Sequence, residues 1–103
     1  SRKMINISST IAKALVTIFD KSLFNNSLII ADQLRKNNIS TILYPVPTEK
    51  LDKQLKYANK KNIPYVIIIG PEEVEKKIVV LKNMKSGEQF KLSIDELVKQ
   101  LNS

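Results

Sequence analysis

The sequence contains no cysteine and no histidine, and this absence excludes several kinds of chemistry. Disulfide bonds, thiol nucleophiles and structural zinc need cysteine, and imidazole acid–base catalysis needs histidine. Glycine occurs only at Gly70 and Gly87. A Walker loop or a dinucleotide-binding loop needs several glycines at one strand-to-helix turn, so the sequence carries neither. We therefore expect no catalytic residues, no metal site and no bound cofactor in this domain.

Long apolar runs are also missing. The longest, around Val66–Ile69, has the length of a strand, whereas a helix that crosses a bilayer needs about 20 apolar residues. The N-terminus is charged at Arg2 and Lys3, but no apolar region and cleavage site follow, so it does not match a signal peptide. We expect a single cytoplasmic domain with no membrane partner, preceded by a linker or ragged start over residues 1–12.

What the chain does have is positive charge. Seventeen lysine and arginine residues stand against ten acidic ones, which gives a net charge of +7. Such a balance attracts polyanions, and nucleic acid is a common partner of basic domains. All the basic residues except Arg2 and Arg35 are lysine, and asparagine is abundant, which is also typical of an AT-rich genome. The charge alone therefore leaves both explanations open.

Hydrophobic periodicity and turn signals divide residues 13–103 into strands and helices. The run 65–69 is apolar at every position, which predicts a central strand covered on both faces. Ser93 and Glu96 have the spacing of a capping box, which predicts the start of the last helix. The predicted fold is a three-layer α/β/α domain with a five-stranded mixed sheet in the order β-α-β-α-β-β-β-α. Its strands are expected at 14–19, 39–44, 65–69, 78–84 and 89–92, and its helices at 22–38, 48–62 and 93–101.

Ligands of open parallel sheets bind beyond the carboxyl ends of the strands, so this rim is where a site is expected. It carries Phe19 and Asp20, the segment 44–48 and the segment 70–73. Aromatic rings at such a rim can stack on unpaired bases, and nearby lysines can hold phosphates, which favours single-stranded nucleic acid. Candidate stacking residues are Phe19 and Tyr44, although strand-end aromatics also commonly cap a core. The candidate phosphate contacts are Lys50 and Lys56 on the second helix.

Three segments carry a resemblance to a known family: KQLKYANKK at 53–61, YVIIIGPEEV at 65–74 and SGEQ at 86–89. Together they resemble the anticodon-binding domain of histidyl-tRNA synthetase, a class II aminoacyl-tRNA synthetase, over about residues 13–102. The threonyl, prolyl and glycyl synthetases share the fold and the G-x-x-E turn, here 70–73. The Lys-Gln helix and SGEQ favour the histidyl member.

The resemblance implies a sheet flanked by three helices and a set of anticodon-binding residues. Glu73 occupies the position of the acidic residue that reads an anticodon base in related synthetases, and one carboxylate can accept both N–H donors of a guanine edge. Thr48 and Glu49 fall in the loop that supplies polar base contacts, and Lys53 belongs to the same anticodon-binding set. Lys82 replaces an arginine and loses its bidentate fork, which favours a phosphate contact there.

The family also implies partners. These are the anticodon stem-loop of a histidine-type tRNA and the catalytic core of a parent synthetase, which is expected to be a homodimer. The signature motifs of that core are missing from this sequence, so ATP and magnesium are implied only for the core. Either the chain is a fragment of a full synthetase or it is a free-standing paralogue. In a paralogue, the same fold can serve as a protein-interaction or regulatory module.

Overall fold

The computed structural model describes residues 12–46 and 50–102. Among these residues the sheet has five strands, and a single turn of 3-10 helix at Lys21–Leu23 precedes the first α-helix. The strands are β1 (Ala14–Val16), β2 (Thr41–Leu43), β3 (Tyr65–Ile68), β4 (Ile78–Asn83) and β5 (Gln89–Ser93). The helices are α1 (Phe24–Lys36), α2 (Leu51–Lys60), α3 (Pro71–Lys76) and α4 (Ile94–Asn102).

The strands lie in the order β2-β1-β3-β4-β5, which places the all-apolar β3 at the centre. β1 pairs in parallel with β2 and with β3, whereas β3–β4 and β4–β5 are antiparallel. Parallel neighbours need long crossovers, which α1 and α2 supply, and the β4–β5 hairpin needs only a short turn. The predicted α/β fold with a five-stranded mixed sheet is confirmed.

The two faces of the sheet have separate cores. On the first, here called the α1 face, side chains of α1 and α4 pack against Val16, Ile67 and Leu81. On the second, the α2 face, Ala58 packs against Leu15 and Val66. Because strand side chains alternate between faces, Ile67 and Ile68 point to opposite sides. Ile67 is fully buried, but Ile68 is only half-buried, so the run 65–69 is less completely covered on the α2 face than its apolar pattern predicts.

Helix α3 is an element that the predicted order lacks. Pro71 begins it, since its fixed φ suits a first helical position, and Glu72 and Glu73 lie in the first turn. The helix ends at Lys76, and the C-cap residue Lys77 adopts a left-handed conformation with φ 58°. Six residues are too few to produce a helical hydrophobic period, so the sequence pattern does not reveal this helix.

Several boundaries also differ from prediction, since β1 ends at Val16 and not at residue 19, and β2 spans Thr41–Leu43 and not 39–44. Helix α2 begins at Leu51 with Lys50 at its N-cap position, three residues later than predicted, and Thr48 and Glu49 lie outside the described residues. Ala12 was assigned to the linker, but it is 2% exposed and packs in the core of the α2 face. The packed domain therefore includes residue 12.

Candidate nucleic-acid interface

The rim at the carboxyl ends of β1 and β3 brings Phe19 close to Gly70. Phe19 is 54% exposed and lies three residues after the buried strand β1. A Cβ atom at Gly70 would lie 3.5 Å from Cδ2 of Phe19. The structure therefore places an accessible aromatic ring beside the turn that leads into α3.

Glu73 belongs to the same rim, where it also has a structural contact. The backbone N–H of Gly70, at the N-cap position, donates to Oε1 of Glu73 at 2.8 Å. This hydrogen bond is one of the two that make up a capping box at the start of α3. A Cβ at Gly70 would lie 2.7 Å from that oxygen, so a side chain at position 70 would require the Glu73 carboxylate to shift. A carboxylate has about four acceptor positions, so this contact leaves capacity for a ligand.

On the α1 face, Glu73 borders an open groove of about 310 Å³ between α1, α3 and the start of α4. The groove is mainly apolar, and Ile29 on its wall is 59% exposed. Polar groups lie at its edges. These are Asn26 and Gln33 of α1 and Lys77 at the end of α3.

The end of β1 is held by polar side chains that sequence reasoning missed. Gln54 of α2 is fully buried, and its carboxamide bonds both backbone groups of Ile18. The hydroxyl of Thr17 donates to the carbonyl of Ile67 at 2.9 Å, and the hydroxyl of Ser27 donates to the carbonyl of Thr17 at 2.9 Å. The available signal was Gln54 itself, a polar residue four positions before Ala58 on the apolar side of α2.

Asp20 shapes the turn that follows Phe19. Its Oδ1 accepts from the hydroxyl of Ser22 at 2.5 Å and from the backbone N–H of Ser22 at 2.6 Å. These two hydrogen bonds stabilise the charged carboxylate and hold the pKa of Asp20 below its ordinary value. Asp20 therefore caps the 3-10 turn before α1.

The prediction that Tyr44 offers a stacking surface is wrong for this structure. Its side chain is 5% exposed, and its ring meets that of Tyr57 edge-on, with the centroids 5.4 Å apart. Such T-shaped pairs are a favoured aromatic geometry in protein cores. Tyr44 therefore belongs to the core of the α2 face, which agrees with the alternative that an aromatic residue at a strand end caps the core.

The predicted lysines of the α2 segment lie on its solvent side. Lys50, Lys53 and Lys56 are all exposed. Lys53 and Lys56 are three residues apart on α2, so they lie on the same side of the helix, opposite the buried Gln54 and Ala58. These two lysines therefore point away from the sheet.

Lys82 lies apart from the Phe19–Gly70–Glu73 cluster. On β4 it is opposite Val66 and next to Leu81, whose side chain is in the core of the α1 face, so Lys82 points to the α2 face. Val66 is four residues before Gly70, which puts Lys82 about 13 Å below the rim along the strand. A ligand that contacts both Glu73 and Lys82 must run down the α2 face of the sheet.

With this geometry established, comparison with known proteins identifies the family. The profile described as "Anticodon binding domain" matches residues 7–103. The chain belongs to the anticodon-binding domain family. Histidine–tRNA ligase of Cytophaga hutchinsonii is 42% identical over 93 residues, covering 90% of this chain and 20% of that protein. The ligase of Clostridium tetani is 39% identical over 94 residues, covering 91% and 21%.

A solved structure agrees with these sequence matches. The crystal structure of histidyl-tRNA synthetase from Nostoc sp. PCC 7120 superposes with a TM-score of 0.86 at 27% identity, covering 95% of this chain and 24% of that one. The chain thus spans about one fifth of the length of the ligases that it matches. Within residues 12–46 and 50–102, no helix has the length and apolar character needed to cross a membrane.

Proposed function

We propose that this chain recognises the anticodon of a histidine tRNA as one domain of a histidine–tRNA ligase. The observation that carries the proposal is the identity of about two residues in five with such ligases over nine-tenths of the chain. The net charge of +7 and the exposed Phe19 beside Glu73 support it. In this proposal, aminoacylation with ATP and magnesium takes place on a separate catalytic core, and the whole ligase is a cytoplasmic homodimer.

Each rim residue has a distinct task in the proposed complex. Phe19 stacks on an unpaired base, because every base offers a π-face. Glu73 accepts hydrogen bonds from the two adjacent N–H donors of a guanine edge. These bonds explain why a negatively charged side chain lies on a surface that binds RNA. The α2 lysines hold phosphates, as does Lys82, and Thr48 and Glu49 add polar base contacts.

The test compares two substitutions of Glu73 in a binding titration. Glu73→Gln retains an oxygen that can accept from Gly70 N–H but introduces an NH₂ group that faces the guanine donors. Glu73→Ala removes both functions. We expect each variant to lose about 1–3 kcal/mol of binding to a histidine-tRNA anticodon stem-loop, the range for a base contact. Neither should weaken binding to the same stem with a scrambled loop.

The outcomes separate anticodon reading from other roles. If both Glu73 variants bind both RNAs more tightly, the carboxylate only repels RNA, and the assigned reading role is wrong. If the unaltered chain binds neither RNA, the anticodon assignment is wrong, and the protein-interaction module is the remaining hypothesis. Glu75→Gln, an exposed acid later in α3, is the matched control and should leave the preference between the loops unchanged.

A further inference from the structure

Part of the α2 face has no helix over it. Helix α2 contacts β3, and the core of this face is built around Ala58, Leu15 and Val66. Helix α4 lies on the other side of the sheet, where Leu97 packs with Val79 of β4. Among the described residues, no helix therefore covers the α2 face of β4 and β5.

Four side chains form this uncovered surface, here called the open β4–β5 face: Val80, Lys82, Gln89 and Lys91. Their placement follows from the register, in which Val80 is opposite Lys91 and Lys82 is opposite Gln89. Val79, Leu81 and Leu92 alternate with them and pack on the α1 face.

The open β4–β5 face is basic, polar and free of carboxylates. Lys82 is half-buried, and Gln89 and Lys91 are exposed. Lys82 and Lys91 are diagonal neighbours across the strand pair, with their Cα atoms about 7–8 Å apart. No described residue forms a salt bridge with either lysine. Like charges on neighbouring side chains repel each other, so an anion bound between them is favoured.

This face is continuous with the rim. Val80 is paired with Ile68, two residues before Gly70, so Lys91 lies about 7 Å below the rim along the sheet. The charge of Lys91 also lowers the pKa of Glu72 in α3, after the larger effects of the Lys76 hydrogen bond and charge. On the other border, Asn59 of α2 and Met84 after β4 line the same small cavity.

We propose that the open β4–β5 face binds the ribose–phosphate backbone of a single RNA strand that passes over the rim. This proposal rests on the proposed function and extends its RNA footprint onto β5, a strand with no assigned contact. Lys82 and Lys91 hold successive phosphates, and the amide of Gln89 bonds a ribose 2′-hydroxyl, which can donate and accept. The apolar Val80 and Ile68 form the floor between them.

The test is a salt-dependent titration of Lys91→Ala, Lys82→Ala and the double variant against the histidine-tRNA anticodon stem-loop. Each lost phosphate contact on a single strand should lower the salt slope by about 0.7, so the double variant should lose about 1.4. Affinity should fall severalfold for cognate and scrambled loops alike, because phosphates carry no sequence information. Lys36→Ala, an exposed lysine in the last turn of α1, is the matched charge control.

Two further readouts distinguish this inference from the proposed function. On titration of the unaltered chain, amide resonances of Gln89 and Lys91 should shift, whereas that of Lys36 should not. If the unaltered chain prefers the cognate loop but Lys91→Ala matches Lys36→Ala and the double variant loses no more than Lys82→Ala, the inference is overturned and the proposed function stands. If the loops bind equally and the slopes still fall, the face binds RNA and the anticodon assignment fails.

Discussion

The carboxamide of Gln54 forms hydrogen bonds with both the backbone N–H and the backbone carbonyl of Ile18. A neighbouring strand would make the same pair of bonds in a sheet. The N–H of Ile18 donates to Oε1 of Gln54 at 2.8 Å, and Nε2 of Gln54 donates to the carbonyl of Ile18 at 2.8 Å. Both residues are fully buried, so neither backbone group has water as an alternative partner. The contact ties α2 to the end of β1 and thereby sets the direction in which the chain leaves toward Phe19.

Replacing Gln54 by methionine should therefore destabilise the domain and disturb the rim together. Methionine has nearly the same length, so the change removes hydrogen bonds with little change in volume. Leaving the backbone N–H and carbonyl of Ile18 without hydrogen-bond partners should lower the free energy of unfolding by about 1–3 kcal/mol for each buried group. Urea denaturation measures this cost, and Gln33→Met on the exposed side of α1 is the control. A loss below about 0.5 kcal/mol, well under that range, would contradict the bracing role.

The two neighbouring isoleucines of β3 should respond differently to truncation. Ile67 is fully buried in the core of the α1 face, and Ile67→Ala should cost about 2–5 kcal/mol, the usual range for a core isoleucine. Ile68 is half-buried beside the open β4–β5 face, so Ile68→Ala should cost clearly less. Chemical denaturation of both variants checks the order, and equal losses would mean that the α2 face is covered there.

The two glycines should give opposite results when each is changed to alanine. At Gly70 φ is −102°, which alanine tolerates, but the new Cβ would displace Oε1 of Glu73 from 2.7 Å. Gly70→Ala should therefore reduce the preference for the cognate loop while changing stability by no more than about 1 kcal/mol. At Gly87 φ is +78° in open space, so Gly87→Ala should cost about 1 kcal/mol or more and leave RNA binding unchanged. Chemical unfolding of both variants measures the change in stability, and RNA titration of both measures the change in binding.

The cations of α2 should contribute to RNA binding without contributing to its specificity. Lys53→Ala and Lys56→Ala should each weaken cognate and scrambled loops equally and lower the salt slope by about 0.7–1. Titration at several salt concentrations measures both quantities. A selective loss for the cognate loop would instead make that lysine a base reader.

The capping box of α4 predicts a specific acid sensitivity. The backbone N–H of Ser93 donates to Glu96 at 3.0 Å, and this contact, with that of the Ser93 hydroxyl, holds the pKa of Glu96 below its ordinary value of 4.5. A depressed pKa means that the stabilisation is present above the unfolded pKa and is lost as the pH falls through the folded one. Thermal melts from about pH 6 to pH 3 should therefore show a smaller loss for Glu96→Gln than for the unaltered chain. Glu75→Gln should melt like the unaltered chain throughout, and equal pH profiles would contradict the role of the box.

Several features could be predicted because they depend on nearest neighbours along the chain. Ser93 and Glu96 are three residues apart, so their reciprocal bonds are a local property, and the structure contains them. The run 65–69 is apolar at every position, which only a central strand can accommodate, and β3 is central. The quoted segments also predicted the family correctly.

The features that could not be predicted depend on contacts between distant segments. Tyr44 is buried because Tyr57, on another element, packs against its ring, and no local pattern distinguishes this from exposure. Gln54 and Ile18 are 36 residues apart, so only the folded chain shows that a polar side chain on α2 completes β1. The amino-acid sequence by itself determined the strands, most helices and the family, since periodicity and short motifs are local. The tertiary structure alone decided which rings and charges face solvent, because exposure depends on what the rest of the chain covers.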